Sequence, residues 1–220
     1  WAAASVDGEL WFADQNRLVR LRPDGSRVVY GDSELAPRGP VTVDADGSLW
    51  GTSFRGLWYV AEPDLERWTT AIGLPTTTAR GVARAQGLIW AGTWNGARQI
   101  APDGAVLALE AGSSKGISCP DRDGNVWMRV LEDGVGTWRV HGVDGAIRTW
   151  PATSLSSASV DCTLDAQGVL WAIEGNTLLR LEAPGRAPVA AAELPTSYRA
   201  FHRWVGTTSD GWIWAGAEPA

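Results

Sequence analysis

Gly47-Ser48-Leu49-Trp50 decides the fold of this chain, because it is one copy of a pattern that occurs six times. In each copy a glycine stands three positions before a tryptophan, and an apolar residue comes directly before that tryptophan. The other copies end at Trp11, Trp90, Trp127, Trp171 and Trp214, and the steps between successive tryptophans are 39, 40, 37, 44 and 43 residues. A period of about forty residues built of short strands is typical of β-propeller blades. Since one blade cannot bury its own faces, the blades must stack around an axis.

The second repeat shows how one blade is built. Residues 40–43 are predicted to form the innermost strand and 44–47 a tight turn, and further strands are expected over 48–52, 56–61 and 67–71. Asp-Gly is a favoured pair for a two-residue hairpin turn, in which we expect a positive φ at both central positions. A second turn of this kind comes later in the period, as at Asp24-Gly25. Two turns per period indicate four strands per blade.

The repeat therefore predicts an all-β protein, a β-propeller of four-stranded blades of which about five and a half are present. The chain opens on Trp1 without a methionine and stops within a repeat, so we expect a fragment of a six- or seven-bladed propeller. The blades are expected over residues 1–35, 36–74, 75–112, 113–154 and 155–196, with a partial blade over 197–220. We expect the six repeated tryptophans to be buried between blades rather than to bind a ligand.

Cys119 and Cys162 are the two cysteines of the chain, and each precedes the glycine of its repeat. They stand five and six positions before it, and a one-residue offset in a strand turns a side chain to the other face. A disulfide between adjacent blades is conceivable, but on this ground we expect two buried free thiols. No Cys-x-x-Cys spacing indicates a metal site.

The composition excludes several classes of function. Acidic residues outnumber basic ones, 25 to 19, for a net charge of −6, which argues against a nucleic-acid partner. No run of about 20 apolar residues indicates a membrane span. The two histidines, His141 and His202, belong to no Gly-x-Ser-x-Gly or His-Glu-x-x-His motif, so no catalytic residue and no cofactor is predicted.

Metal binding has weak support in the sequence. The Asp44-x-Asp46 and Asp121-x-Asp123 pairs lack the further acidic positions of a calcium loop, and turn formation explains them. No metal ligand is therefore predicted. Four carboxylates are nevertheless expected to reach one face of the propeller, which leaves a metal-assisted site open: Asp14, Glu132, Asp133 and Glu174.

That face carries the irregular loops, whereas the regular Asp-Gly turns collect on the opposite face. Binding residues are concentrated on loops held by a rigid scaffold, so we expect the ligand site on the irregular side, called the loop face below. Trp94 stands out because no other blade has its counterpart, and arginines nearby would add cationic contacts suited to a carbohydrate, an acid or a peptide. The candidate ligand-binding residues are Arg55, Arg80, Trp94, Asn95, Arg199, His202 and Arg203. The alternative is a tryptophan packed over its own loop among solvated arginines.

The middle of the chain resembles the two-component regulator propeller repeat. Gly73-Leu74-Pro75 is followed by Gly87-Leu88-Ile89-Trp90-Ala91-Gly92-Thr93, and the second blade has Trp50-Gly51-Thr52, whereas the first, fourth and fifth blades lack the Gly-Thr pair. The resemblance implies a periplasmic sensor module that precedes a membrane helix and an output domain such as a histidine kinase or diguanylate cyclase. It also implies a glycan or similar small molecule as ligand, and it assigns no functional residue.

A second resemblance gives the runner-up. The first blade, from Leu10-Trp11-Phe12-Ala13 to Pro23-Asp24-Gly25, is similar to the repeats of virginiamycin B lyase and related propellers. That family implies a histidine base with a metal-binding carboxylate, and the sequence shows no convincing pair. We therefore expect a non-enzymatic, ligand-sensing propeller with a small-molecule or carbohydrate partner. The alternatives are a protein-interaction propeller and a lyase or lactone hydrolase.

Overall fold

Strands are the regular elements of this protein. The computed structural model describes residues 2–4, 8–14, 17–31, 37–43, 47–53, 56–61, 64–68, 79–93, 96–110, 118–152, 161–194, 203–208 and 210–217. Within these ranges it contains 22 β-strands. None of the described segments is a helix long and apolar enough to cross a membrane.

The strands form six antiparallel sheets, each built from consecutive strands. Sheet I contains β1 (Ala2–Ala4), β2 (Leu10–Asp14), β3 (Arg17–Leu21) and β4 (Arg27–Gly31). Sheet II contains β5 (Pro37–Val43), β6 (Leu49–Ser53), β7 (Gly56–Ala61) and β8 (Asp64–Trp68). Sheet III contains β9 (Ala79–Ala85), β10 (Leu88–Thr93), β11 (Gly96–Ile100) and β12 (Val106–Glu110).

The second half of the chain continues the pattern. Sheet IV contains β13 (Ser118–Pro120), β14 (Val126–Glu132), β15 (Val135–His141) and β16 (Ile147–Pro151). Sheet V contains β17 (Asp161–Leu164), β18 (Leu170–Glu174), β19 (Thr177–Leu181) and β20 (Val189–Glu193). Sheet VI contains β21 (Arg203–Thr207) and β22 (Ile213–Ala217). Five four-stranded sheets and a two-stranded one confirm the predicted all-β propeller architecture.

The strand bounds differ from the prediction in the second repeat. The outermost strand β8 covers Asp64–Trp68 rather than 67–71, and it pairs with β7 from Ala61 and Asp64 onwards. The innermost strand β5 begins at Pro37, earlier than predicted, and its pairing with β6 shifts register between Pro37 and Val41.

The chain divides into two compact units, residues 1–111 and 112–220. Within the first unit, Trp11 of sheet I packs with Leu49 and Trp58 of sheet II. Trp50 of sheet II, on the opposite face from Leu49, packs with Ile89 of sheet III. The repeated tryptophan thus faces the following sheet, and the apolar residue before it faces the preceding one.

The second unit follows the same rule. Trp127 of sheet IV packs with Leu170 and Ala172 of sheet V. Trp171 turns to the other side of sheet V and lies against Val205 and Ile213 of sheet VI. Strand alternation therefore lets one Leu-Trp pair serve two interfaces.

The Asp-Gly turns are not built as predicted. Among the described Asp-Gly turns, only the glycine has a positive φ in most cases, for example Gly124 at 84°. There Gly124 N–H donates to Asp121 O, and Asp121 N–H donates to Asn125 O, which is a type I turn followed by a left-handed glycine. Both central residues have positive φ at Gln86-Gly87 and Asp133-Gly134.

The aspartates in these turns have a different role from the one expected. Their carboxylates accept the backbone N–H two residues further on, as Asp24 does from Ser26 at 2.8 Å and Asp144 from Ala146 at 3.0 Å. This Asx turn stabilises the bend without a left-handed aspartate.

Cys119 and Cys162 form a disulfide, so the expectation of two free thiols is wrong. Cys119 pairs with Trp127 across β13 and β14 and shares its face, which points towards sheet V. Cys162 pairs with Ala172, whose face points back towards sheet IV. The one-residue offset does turn the two side chains to opposite faces of their own sheets. Adjacent sheets meet through opposite faces, so the offset brings the sulfurs together.

Gly51 gives a test of side-chain packing on the face of sheet II. A Cβ at Gly51 would overlap the indole of Trp58, which is buried and whose Nε1 donates to Thr52 O at 3.1 Å. Gly51→Ala is therefore expected to lower the free energy of unfolding by about 1–3 kcal/mol, the usual cost of overpacking. Chemical denaturation measures this. The control is Gly206→Ala, another strand glycine, whose added Cβ meets no atom within 4 Å. Equal effects of the two substitutions would contradict this interpretation.

Candidate functional site

The turns between second and third strands of each sheet lie on the loop face. In sheet II the buried Ser53 donates from Oγ to Gly56 O at 3.2 Å, and in sheet III the buried Thr93 donates from Oγ1 to Gly96 O at 2.8 Å. Each hydroxyl bonds the carbonyl of the first residue of the next strand. The residues that flank positions 54–55 and 94–95 are thus buried and hydrogen-bonded to each other.

Most of the predicted ligand-binding residues fall outside the part of the chain that the structure describes: Arg55, Trp94, Asn95, Arg199 and His202. The other two are placed by their backbone. Arg80 lies near the start of β9 and Arg203 begins β21, each an innermost or first strand of its sheet. Both strands run away from the loop face, so these two residues stand at its edge. The site therefore stays a prediction.

The hairpin of sheet IV extends further than its neighbour in the same unit. β14 and β15 each have seven residues, whereas β18 and β19 of sheet V have five. Asp133 and Val135 at its end are exposed, and Asp133 has a φ of 48°. This places one of the four expected carboxylates at the tip of a hairpin on the loop face. For Asp14 and Glu132 the structure describes the backbone alone.

Glu174, another of these carboxylates, is not available to a ligand. It is 1% exposed and forms an ion pair with Arg129, whose side chain is also 1% exposed. Arg129 Nε donates to Glu174 Oε1 at 2.5 Å, and Trp138 Nε1 donates to Oε2 at 3.3 Å. Both carboxylate oxygens are thus engaged between sheets IV and V.

Arg129 was not among the residues predicted from the sequence to have a functional role. The available signal was a single cation in the middle of the strand Val126-Trp127-Met128-Arg129-Val130. A charge at such a position requires a buried counter-charge. The strand pattern alone does not say which carboxylate supplies it.

Asp161 is a second buried carboxylate, at the start of β17. It accepts a hydrogen bond from Cys162 N–H at 3.0 Å and, from the neighbouring sheet, one from Val205 N–H at 3.1 Å. At the other end of the same strands, Thr207 Oγ1 donates to Leu164 O at 2.7 Å. Burial raises the pKa of Asp161 to about 6, although the two backbone hydrogen bonds act in the opposite direction. This carboxyl joins the first strands of sheets V and VI.

Asp121 and Asp165 anchor the repeated tryptophans of their sheets. Trp127 Nε1 donates to Asp121 Oδ2 at 3.1 Å, and Trp171 Nε1 donates to Asp165 Oδ2 at 2.8 Å. Burial on its own would raise the pKa of Asp165. The bonds from Trp171 and from the backbone of Val169 and Gln167 outweigh it and hold that pKa below its ordinary value.

These aspartates therefore do more than form turns. Asp121 Oδ1 also accepts from Asp123 N–H and Asn125 N–H, so its oxygens are committed to donors within the sheet. Within the described ranges, no three His, Cys, Asp or Glu side chains lie close enough together to hold a metal ion.

Similar folds occur among solved structures. Virginiamycin B lyase from Staphylococcus aureus matches over 99% of this chain and 83% of its own, with a TM-score of 0.73 and 15% identity. The extracellular domain of the hybrid two-component system BT3049 from B. thetaiotaomicron matches over 98% of this chain and 32% of its own, with a TM-score of 0.73 and 12% identity. The gluconolactonase XC5397 from Xanthomonas campestris matches over 100% and 84%, with a TM-score of 0.64 and 14% identity.

No protein-family model and no curated protein matches the sequence. At these low identities, the structural likeness establishes a shared β-propeller fold. Both enzymes and extracellular domains of two-component systems share it, as the two resemblances in the sequence indicated.

Breaking the buried ion pair should be costly. We expect Glu174→Gln to lower the free energy of unfolding by about 3–5 kcal/mol, because it removes the carboxylate charge that faces the buried Arg129 guanidinium. The double variant Arg129→Met with Glu174→Met should lose less unfolding free energy than the single variants Arg129→Met and Glu174→Met lose in sum. Denaturation midpoints for the full cycle measure the coupling. Asp144→Asn, which breaks the exposed Asp144–Arg148 pair, is the control and should leave the midpoint nearly unchanged. Additive effects at Arg129 and Glu174 would contradict the proposed coupling.

Asp161 should make stability depend on pH in a definite direction. Its pKa in the folded protein, about 6, lies above the ordinary value of 3.8, so the folded state takes up a proton first. The contribution of Asp161 to stability should therefore rise as the pH falls from 7 to 4. It is largest below the ordinary value and is lost as the pH rises through 6. The measurement is the difference in unfolding free energy between the wild type and Asp161→Asn across this range. A difference that does not change with pH would refute the assignment.

Proposed function

We propose that this chain is a non-enzymatic, ligand-sensing β-propeller that serves as the signal-input module of a bacterial two-component or diguanylate-cyclase protein. The observation that carries the proposal is the match of nearly the whole chain to the BT3049 extracellular domain. The resemblance of the middle blades to the two-component regulator propeller repeat supports the same role. The chain spans about a third of the length of that domain. The rest of the whole protein, including an output domain, is therefore part of the proposal.

An extracytoplasmic location agrees with the disulfide between Cys119 and Cys162. Disulfides form and persist in oxidising compartments such as the bacterial periplasm. The neighbours described as extracellular domains of two-component systems point in the same direction. We propose the periplasm as the compartment.

The proposed ligand is a small molecule or glycan bound at the loop face near Trp94 and Asn95. An indole can stack on the apolar face of a sugar ring, and arginines such as Arg55 can pair with a carboxylate or hydroxyl groups. Thr93 and Gly96, which flank these two residues, are joined by a 2.8 Å hydrogen bond.

A lyase or lactone hydrolase is the second candidate. It is favoured by the larger share of the enzymes that the chain covers, 83% of virginiamycin B lyase and 84% of the gluconolactonase. Against it, Glu174, one of the carboxylates expected on the loop face, is committed to Arg129. Such an enzyme would turn over virginiamycin B or gluconolactone.

Calorimetric titration against a panel of neutral and acidic oligosaccharides tests the sensor function. We expect one or more of them to bind the wild type, and Trp94→Ala to weaken that binding at least tenfold, since stacking supplies much of the contact. Trp68→Ala, on the outermost strand β8, is the matched control and should bind normally. Turnover of virginiamycin B or gluconolactone without oligosaccharide binding would replace this proposal with the enzymatic one.

A further inference from the structure

Six Asp-Gly pairs lie within the part of the chain that the structure describes, and one of them is built differently. In the other five, the glycine N–H donates to the carbonyl three residues earlier, at 2.8–3.1 Å: Gly25, Gly104, Gly124, Gly145 and Gly211. The sixth pair, Asp133-Gly134, is the two-residue turn between β14 and β15, with φ values of 48° and 80°. Both of its residues are exposed, and among the described residues the Gly134 N–H has no acceptor.

The carboxylates of these pairs differ as well. Asp24, Asp103 and Asp144 each accept the backbone N–H two residues further on, at 2.8–3.0 Å. Asp144 also accepts from Arg148, and this hydrogen bond lowers the pKa of the Asp144 carboxyl to about 2. The Asp133 carboxylate makes no hydrogen bond or ion pair within the described ranges. It is therefore free to turn towards the main chain that follows it.

Both differences matter because the backbone nitrogen that follows an aspartate can attack its carboxyl group. The Gly134 nitrogen forms a bond to Cγ of Asp133 and loses its proton, and one oxygen of the protonated carboxyl leaves as water. The product is a five-membered succinimide. An N–H that is held by a carbonyl keeps its proton and its direction, and a carboxylate held by N–H donors cannot rotate to meet it. Glycine at the second position has no side chain to hinder the approach.

We propose that Asp133-Gly134 is a modification site at which the folded protein converts aspartate to isoaspartate. Water opens the succinimide at either of its two carbonyls. Addition at Cγ restores aspartate. Addition at the main-chain carbonyl of Asp133 breaks its bond to the Gly134 nitrogen, and the chain then runs through Cβ and Cγ. The net reaction changes no mass, and water is its only co-reactant.

The modification would change the tip of the hairpin of sheet IV. It adds one carbon to the main chain between Glu132 and Val135, which pair with each other at the end of the hairpin. The former main-chain carbonyl of Asp133 becomes a carboxylate side group. The surface of the loop face would therefore change with the age of the protein, and this inference does not depend on the proposed sensing function.

Peptide mapping of the folded protein tests the proposal. The wild type is incubated below its unfolding transition at mildly acidic pH in heavy-oxygen water, which labels every succinimide that opens, and is then digested in ordinary water. Trypsin releases three peptides with one Asp-Gly pair each, 130–139, 123–129 and 140–148. Isoaspartate and the label should accumulate about tenfold faster in 130–139, because the other two pairs must first break the hydrogen bond of their glycine N–H.

Unfolding and substitution supply the controls. In denaturant the three peptides should react at similar rates, since no turn then holds a glycine N–H. Asp133→Glu keeps the charge but would need a larger ring, so 130–139 should gain neither isoaspartate nor label. Asp133→Asn should gain mass by deamidation faster than Asp123→Asn, its matched control. Equal rates for the three peptides of the folded protein overturn the proposal, as does a preference for Asp133 that persists in denaturant.

Discussion

Each sheet of this protein has two faces that must leave water, and the alternation of side chains along a strand decides how that is done. Leu49 and Trp50 are neighbours in sequence but belong to different interfaces. Leu49 packs against sheet I, and Trp50 packs against sheet III. The apolar residue and the tryptophan at the centre of a repeat therefore pack against two different neighbouring sheets. Insertion of one residue into β6 would exchange the two faces and disrupt both interfaces at once.

Close packing of side chains on the face of sheet II places strict demands on its small residues. Gly51 lies directly opposite Trp58 in the register of β6 and β7, and the indole occupies the space that a side chain would take. The glycine of the Trp-Gly-Thr segment is thus a packing requirement rather than a turn signal. The same indole is fixed by its hydrogen bond to the Thr52 carbonyl.

The tryptophan period and the two turns within each period were sufficient to predict four-stranded sheets and the burial of most repeat positions, because both follow from local pattern. The disulfide was missed because a strand pattern assigns a face within one sheet and says nothing of the sheet opposite. Cys119 and Cys162 lie on opposite faces of their own sheets, which is the arrangement that facing sheets require. The turn type was misjudged because Asp-Gly suits two different turns, and the residues that flank the pair decide between them.

The ligand site was less accessible to prediction than the fold. Loop residues such as Trp94 carry no periodic constraint, so their arrangement depends on contacts that the repeat does not encode. Buried charges present a related difficulty. Glu174 is the last residue of its strand, and its position predicts a carboxylate on the loop face. It instead pairs with Arg129, 45 positions earlier in the chain. Only the packing of sheet IV against sheet V makes that pairing visible.

The bond between Cys119 and Cys162 also closes a covalent ring that contains three whole strands, β14, β15 and β16. Tension applied through the two ends of the chain, as a threading motor or a stretched anchor would apply it, passes through the sulfur bridge and bypasses these strands. Sheet IV would therefore keep most of its strands under a pull that extends the other sheets. The segment between the two cysteines, 43 residues in sequence separation, cannot be extended by the pull until a reductant breaks the disulfide. The bridge thus gives the protein a mechanically shielded segment whose extension depends on redox conditions.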